Sequence, residues 1–281
     1  MSQRNSEAYE FPLARHSTDL TTLLDAALVS VLPVASVLTY FLSTPLQYQL
    51  AFDPRAPTVI GALTAPVVHI EQTHLLWNMF GYLTLIPLTY ALTSLAGRRR
   101  LFRVVFVVAA VGTPLLTSGA EIYFNSDALS GGLSGILFVF VGFLPLALGA
   151  YLEEWFDISS SRVTGPLMQS LSIIIAVIMG ATALTTSIPS SLFIPFGGAL
   201  ALGALAIVYT WSRLTPTESS PIEQIIDRPV FGDLALCAVA LSLLLPLLLV
   251  YPMASGTGGG VSSVAHYVGF FTGTFTPLFF L

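Results

Sequence analysis

Apolar residues run along this chain in long, nearly unbroken stretches, and polar residues collect between them. Eight stretches stand out, at about 22–42, 74–95, 101–119, 131–152, 167–188, 192–212, 232–252 and 261–281. Each is close to or above the roughly 20 residues a helix needs to cross the bilayer hydrocarbon. The pattern therefore predicts about eight transmembrane helices. Polar linkers separate them, among them AGRRRLFR at 96–103, EEWFDISSSR at 153–162, SRLTPTESSPIEQIIDRP at 212–229 and ASGTGGG at 254–260. No internal repeat is visible. The first twenty residues are polar and lack the apolar core of a cleavable signal. The expected organisation is a cytoplasmic segment, 1–21, followed by one transmembrane domain, 22–281.

Composition agrees with this class. The 281 residues are 54% hydrophobic and 9% charged, whereas a soluble domain carries about 25% charged residues. The mean hydropathy is +0.83. The expected fold is thus an all-α, multi-pass protein of the cell membrane. All ten basic residues are arginine, fifteen residues are acidic, and the net charge is -5. That balance argues against nucleic acid as a partner. The single cysteine, Cys237, lies in an apolar run and reads as an inert buried thiol. Asp25 and Asp233 lie near span ends and read as solvated carboxylates.

Arginine also orients the chain, because basic residues near span ends collect on the cytoplasmic side. With both termini inside, the inner segments hold Arg4, Arg15, Arg98, Arg99, Arg100, Arg162, Arg213 and Arg228. Arg103, just within the third span, is expected to snorkel to the same face. Only Arg55 falls outside. Spans two, four and eight then all begin at the outer face.

The polar residues inside the spans sit at those beginnings. His74 and Asn78 are four apart, on one helix face. Ser134 lies in GGLSG, in the first turn of span four, and His266 lies about one turn into span eight. Buried polar groups in a membrane are costly and face the bundle interior or a watery cavity. A serine hydroxyl becomes a nucleophile when a base takes its proton, and imidazole is the usual base. His74 and His266 are the histidines within spans. At a helix start Ser134 would feel free backbone N–H groups and the positive end of the helix dipole, which also suit a developing oxyanion. The Asn78 amide and the His74 ring N–H suit it too. Gly131 and Gly132 permit a strained approach to the helix. His266, Gly269 and Gly273 share a face, and packing of that face on Gly135 and Gly142 would draw His266 to Ser134. Phe138, one turn below Ser134, would stack on the imidazole. No acid lies at a matching place, so the expected arrangement is a dyad.

These residues resemble the rhomboid family of intramembrane serine proteases. The family pattern has HxxxN in its second helix, GxSG in its fourth and AHxxGxxxG in its last core helix. Here stand His74-Leu-Leu-Trp-Asn78, Gly132-Leu-Ser134-Gly135 and Ala265-His266-Tyr-Val-Gly269-Phe-Phe-Thr-Gly273. The resemblance implies Ser134 as nucleophile, His266 as general base, and His74 and Asn78 as oxyanion ligands together with Ser134. His69, five before His74, resembles a histidine that rhomboids often carry in the loop entering that helix. The implied fold is a rhomboid-like bundle, a six-helix core with two additional helices. The implied substrates are single-span membrane proteins, cut near the outer end of a span at a small residue. No cofactor is implied. No metal is expected either, since His69 and Glu71 beside His74 form no HExxH-type spacing.

Two departures from the family stand out. Three spans, rather than one, separate the serine and histidine helices; three is odd, so His266 still starts from the outer face. The first loop, 43–73, lacks the Trp-Arg pair of many members, and Arg55 in FDPRAP is its only arginine. Two other functions fit parts of the pattern. A catalytically silent rhomboid-like module would bind membrane segments without cutting them, but such proteins usually lose the serine or the histidine. A small transporter would show repeats and interrupted helices in matched halves.

Overall fold

The computed structural model describes residues 20–124, 129–156, 232–241 and 263–280. The expected spans at 167–188 and 192–212, and most of 232–252, lie outside the described residues. The described residues are helical apart from turns and one isolated antiparallel bridge, Phe52 to Ser130. Among the described residues, four helices are long and apolar enough to cross a membrane.

These four are α1 (Leu20–Tyr40), α4 (Gln72–Leu95), α5 (Arg99–Tyr123) and α6 (Ser134–Phe156). Two short helices, α2 (Thr44–Leu50) and α3 (Val59–Thr64), and a 3-10 turn over Ala65–Val67 fill the connection from α1 to α4. A π turn at Val108–Gly112 interrupts α5. A short apolar helix, α7, covers Gly232–Leu241. The last helix, α8, covers Ser263–Phe275 and ends in a 3-10 turn at Thr276–Phe279.

α6 is the axis of the bundle. It is apolar on every side, and a helix of that kind is buried all round. Its residues from Ile136 to Pro145 are all buried, with Leu137, Phe138, Phe140, Phe143 and Leu144 at 0% exposure. In contrast, α1 buries only Asp25 and Ser36; its many exposed leucines and valines suit a lipid-facing helix.

Contacts at both ends give the helix directions. Tyr82 donates to the Val29 carbonyl (2.6 Å) and Tyr90 to Asp25 (3.0 Å), so α1 and α4 are antiparallel. Trp155 Nε1 donates to the Leu95 carbonyl (3.1 Å), joining the last turns of α4 and α6. α5 starts at that same end, where Arg103 meets Asp25. α6 and α8 run parallel: a Cβ at Gly269 would strike the Gly135 carbonyl, and one at Gly273 the Val139 carbonyl. The first turns of α4, α6 and α8 therefore share one end of the bundle.

Two sequence expectations change. Asp25 is not a solvated carboxylate; it is 3% exposed. Arg103 grips it with Nε to Oδ1 at 2.6 Å and Nη2 to Oδ2 at 3.0 Å. Arg103 is thus an interhelical clamp rather than a free snorkelling side chain. The fork geometry of guanidinium on carboxylate supplies both bonds at once. Cys237 is exposed on α7, not buried; an apolar run in a membrane protein serves lipid-facing surface as well as core.

Candidate active site

The turn that leads into α6 is held by the connection between α1 and α4. Ser130 and Phe52 exchange two backbone hydrogen bonds, at 3.0 and 2.9 Å. The Gly132 N–H donates to the Ala65 carbonyl at 2.9 Å. The Leu133 N–H donates to His69 Nε2 at 3.4 Å. Three donors of this turn, at 130, 132 and 133, are thus taken by fixed acceptors on one segment. That segment is itself braced. Gln47 Nε2 donates to the Thr39 and Tyr40 carbonyls at 3.2 and 2.8 Å, and Thr64 donates to the Leu50 carbonyl at 2.6 Å. Thr39 donates to the Val67 carbonyl as well.

Gly132 is required by this path. Its φ is +105°, a conformation that side chains other than hydrogen rarely adopt. A Cβ there would lie 2.6 Å from His74 Cε1, 2.7 Å from His74 Nε2 and 3.2 Å from Asn78 Nδ2. The glycine is therefore the floor on which the His74 ring and the Asn78 amide converge. α6 starts at once afterwards, with Ser134, 4% exposed, as its first residue. The N–H groups of that first turn have no intrahelical acceptor, and the helix dipole adds positive potential.

His69 organises the layer above. It is fully buried, and its ring meets that of His74 edge-on at 5.1 Å. Its Nε2 lies 3.0 Å from Asn78 Nδ2 and its Nδ1 lies 3.3 Å from the Val67 carbonyl. Burial, and the His74 ring beside it, push its pKa down to about 3, so it is neutral.

His266 comes from α8. Its ring lies flat on Phe138, with centroids 4.3 Å apart and planes 15° apart. The approach depends on glycine. A Cβ on Gly135 would meet Ala265 at 3.5 Å, an ordinary contact, whereas a Cβ on Gly142, Gly269 or Gly273 would strike a backbone carbonyl of the facing helix. His266 is 3% exposed, and its Nε2 has no hydrogen-bond partner. A Ser134–His266 hydrogen bond through Nε2 is therefore not made in this conformation. His74 Nε2 and Asn78 Oδ1 are also buried without a partner. Three unpaired polar atoms in one buried layer are unusual, since such groups are normally satisfied.

A small cavity adjoins the turn, with Ala65, Thr117, Gly131, Gly132, Gly135 and Ala265 in its lining. Its volume is about 30 Å³, enough for about two waters.

The structure thus gathers Ser134, His74, Asn78, Gly132, Gly135, Phe138, His266, Gly269 and Gly273 at one end of the bundle. Sequence reasoning missed Phe52 and Ala65, which act through backbone groups and leave no side-chain signal. His69 entered through the rhomboid resemblance; its bonds to Asn78, to the Val67 carbonyl and to the Leu133 N–H leave no mark in the sequence pattern. Comparison with known proteins adds no family: no family model, no curated protein and no solved structure matches this chain.

Proposed function

We propose that the chain is a rhomboid-type intramembrane serine protease. The observation that carries this reading is the convergence of the His74 ring and Asn78 amide on Gly132, two residues before Ser134, with His266 packed on Phe138 one turn further. In this reading Ser134 Oγ attacks a substrate carbonyl carbon and its proton passes to His266 Nε2. The carbonyl oxygen becomes an oxyanion that accepts from Asn78 Nδ2, from a His74 ring N–H and from the first free N–H groups of α6. His266 then returns the proton to the leaving amine. Water, activated by the same imidazole, releases the acyl group from Ser134.

The reading carries the rest of the family's expectations with it. They are eight spans built as a six-helix core with two additional helices, both termini cytoplasmic, and a site opening at the outer face. Substrates are single-span membrane proteins whose helices unwind near that face, because a helix hides its carbonyls in hydrogen bonds. The parallel run of α6 and α8 supports an odd number of crossings between them.

The test is cleavage of a tagged single-span substrate in membranes. Wild type yields a product band; Ser134→Ala and His266→Ala do not, at equal protein levels. A fluorophosphonate labels wild type and spares Ser134→Ala. A wild type that neither cuts a panel of such substrates nor takes the label would leave the silent binding module as the better reading.

A further inference from the structure

The environment of His69 settles which of its nitrogens carries the proton. The Val67 carbonyl can only accept, and it lies 3.3 Å from Nδ1. The Leu133 N–H can only donate, and it lies 3.4 Å from Nε2. Both contacts are satisfied together by one neutral tautomer, with hydrogen on Nδ1 and a lone pair on Nε2. That assignment fixes a second one. Asn78 presents its carboxamide to the same Nε2 at 3.0 Å. Against a lone pair the near atom must be the NH2 group. The reversed amide would set oxygen against nitrogen lone pair. It would also put a carbonyl oxygen beside Gly132, where the proposed oxyanion needs donors.

We propose that His69 is a positioning residue: the single Nε2 lone pair takes a three-centre bond, mainly from Asn78 at 3.0 Å and more weakly from Leu133 at 3.4 Å, and so sets the direction of the amide and the height of the turn that carries Ser134. The NH2 group has two hydrogens. One is spent on His69, and the second is left for substrate. The positions joined are far apart in sequence, 9 residues for Asn78 and 64 for Leu133. One imidazole thereby ties the start of α4 to the start of α6. Its own place is fixed by the Val67 carbonyl, which also receives Thr39 from the end of α1. Because His69 touches neither Ser134 nor substrate in this scheme, its effect passes through Asn78 and the turn. The inference rests on the protease reading for its kinetic part and stands on geometry for the rest.

Two measurements test it on the full chain in detergent micelles or nanodiscs. The first is the 15N spectrum of the imidazoles. One neutral ring is expected with protonated Nδ1 and bare Nε2; it vanishes in His69→Gln and its Nε2 shift moves in Asn78→Leu. A ring at His69 with protonated Nε2, or one indifferent to Asn78→Leu, overturns the proposal whether or not the protein cuts anything. The second is kinetic. His69→Phe lowers kcat by about 10- to 100-fold, less than the roughly 100- to 1,000-fold for an oxyanion donor removed outright because the amide is misdirected and not deleted, and leaves KM within about twofold. His69→Gln, whose Oε1 accepts where Nε2 did, restores kcat to within about threefold of wild type. His69→Phe combined with Asn78→Ala is no slower than Asn78→Ala alone. Additive losses, or a His69→Phe enzyme with unchanged kcat, refute the role. Ser134→Ala, run beside these, reports on the protease reading separately.

Discussion

Phe138 and His266 lie face to face, with 4.3 Å between ring centroids and 15° between ring planes. The contact joins the helix that begins with Ser134 to the helix that carries the proposed base. A stacked pair of this kind is worth about 0.5–1.5 kcal/mol, or up to roughly tenfold in a rate if it is felt in the transition state. Phe138→Leu keeps an apolar side chain but removes the flat face and some volume. We expect cleavage to fall by about three- to tenfold, with a drop in melting temperature of the size a partly emptied core site gives; Phe138→Tyr tests whether a ring alone suffices. An unchanged rate in Phe138→Leu would mean that α8 alone orients the imidazole.

Gly132→Ala is expected to abolish cleavage and fluorophosphonate labelling. The methyl would sit 2.6 Å from the His74 ring, at a φ of +105°. The His74 ring would have to move, and with it one proposed oxyanion donor. Initial rates read the effect, and size-exclusion elution beside wild type shows whether the bundle survives.

Gly273→Ala should destabilise the bundle, because its Cβ would strike the Val139 carbonyl on α6. Overpacking of this sort costs about 1–3 kcal/mol. Gly119→Ala is the control: it lies inside a helix, and its Cβ meets nothing within 4 Å. It should be neutral or stabilising by about 0.5–1 kcal/mol. Unfolding in mixed micelles ranks the two. Equal stability would show that α6 and α8 can separate at no cost.

Asp25→Leu is expected to destabilise the end of the bundle remote from Ser134. It strips Arg103 and Tyr90 of their shared acceptor. Because Arg103 is 40% exposed and can turn to water, the loss should be about 1–3 kcal/mol. Asp25→Leu with Arg103→Leu should recover much of it, since an apolar pair can replace a buried ion pair. Cleavage should persist in both variants wherever the protein stays folded.

His69 gives a pH dependence with a definite sign. Its folded pKa is about 3, below the ordinary 6.5. The unfolded chain therefore binds a proton first as pH falls. The stabilising contribution is intact above about pH 6.5 and is lost progressively between 6.5 and 3. Melting temperatures from pH 7 to 4 should fall more steeply for wild type than for His69→Gln. Parallel curves would place the acid sensitivity elsewhere.

The long helices were readable because twenty apolar residues admit few other fates in a membrane. α1, α4 and α6 start within about three residues of the expected positions, and α5 is longer at both ends. The polar layer was readable too, since His74, Asn78, Ser134 and His266 all stand near helix starts. The connection at 43–71 was not. Its helices are 7 and 6 residues long, too short to form alone. They exist because Gln47 and Phe52 reach partners outside the connection, on α1 and at Ser130, and Thr64 ties α3 back to the end of α2. Asp25 misled for the same reason: its partner lies 78 residues away, on another helix. The contacts of His69 share that property, spanning up to 64 residues, and no periodicity announces them.

The glycine contacts between α6 and α8 carry one more consequence. Gly269 seats on the Gly135 carbonyl and Gly273 on the Val139 carbonyl, four residues further along both helices. Sliding α8 along its axis by a single residue rise, about 1.5 Å, would push side chains into those notches. Translation along the axis is therefore indexed, one notch per helical turn. The level of His266 against Ser134 is set by backbone shape, with no polar bond between the two helices needed to hold it.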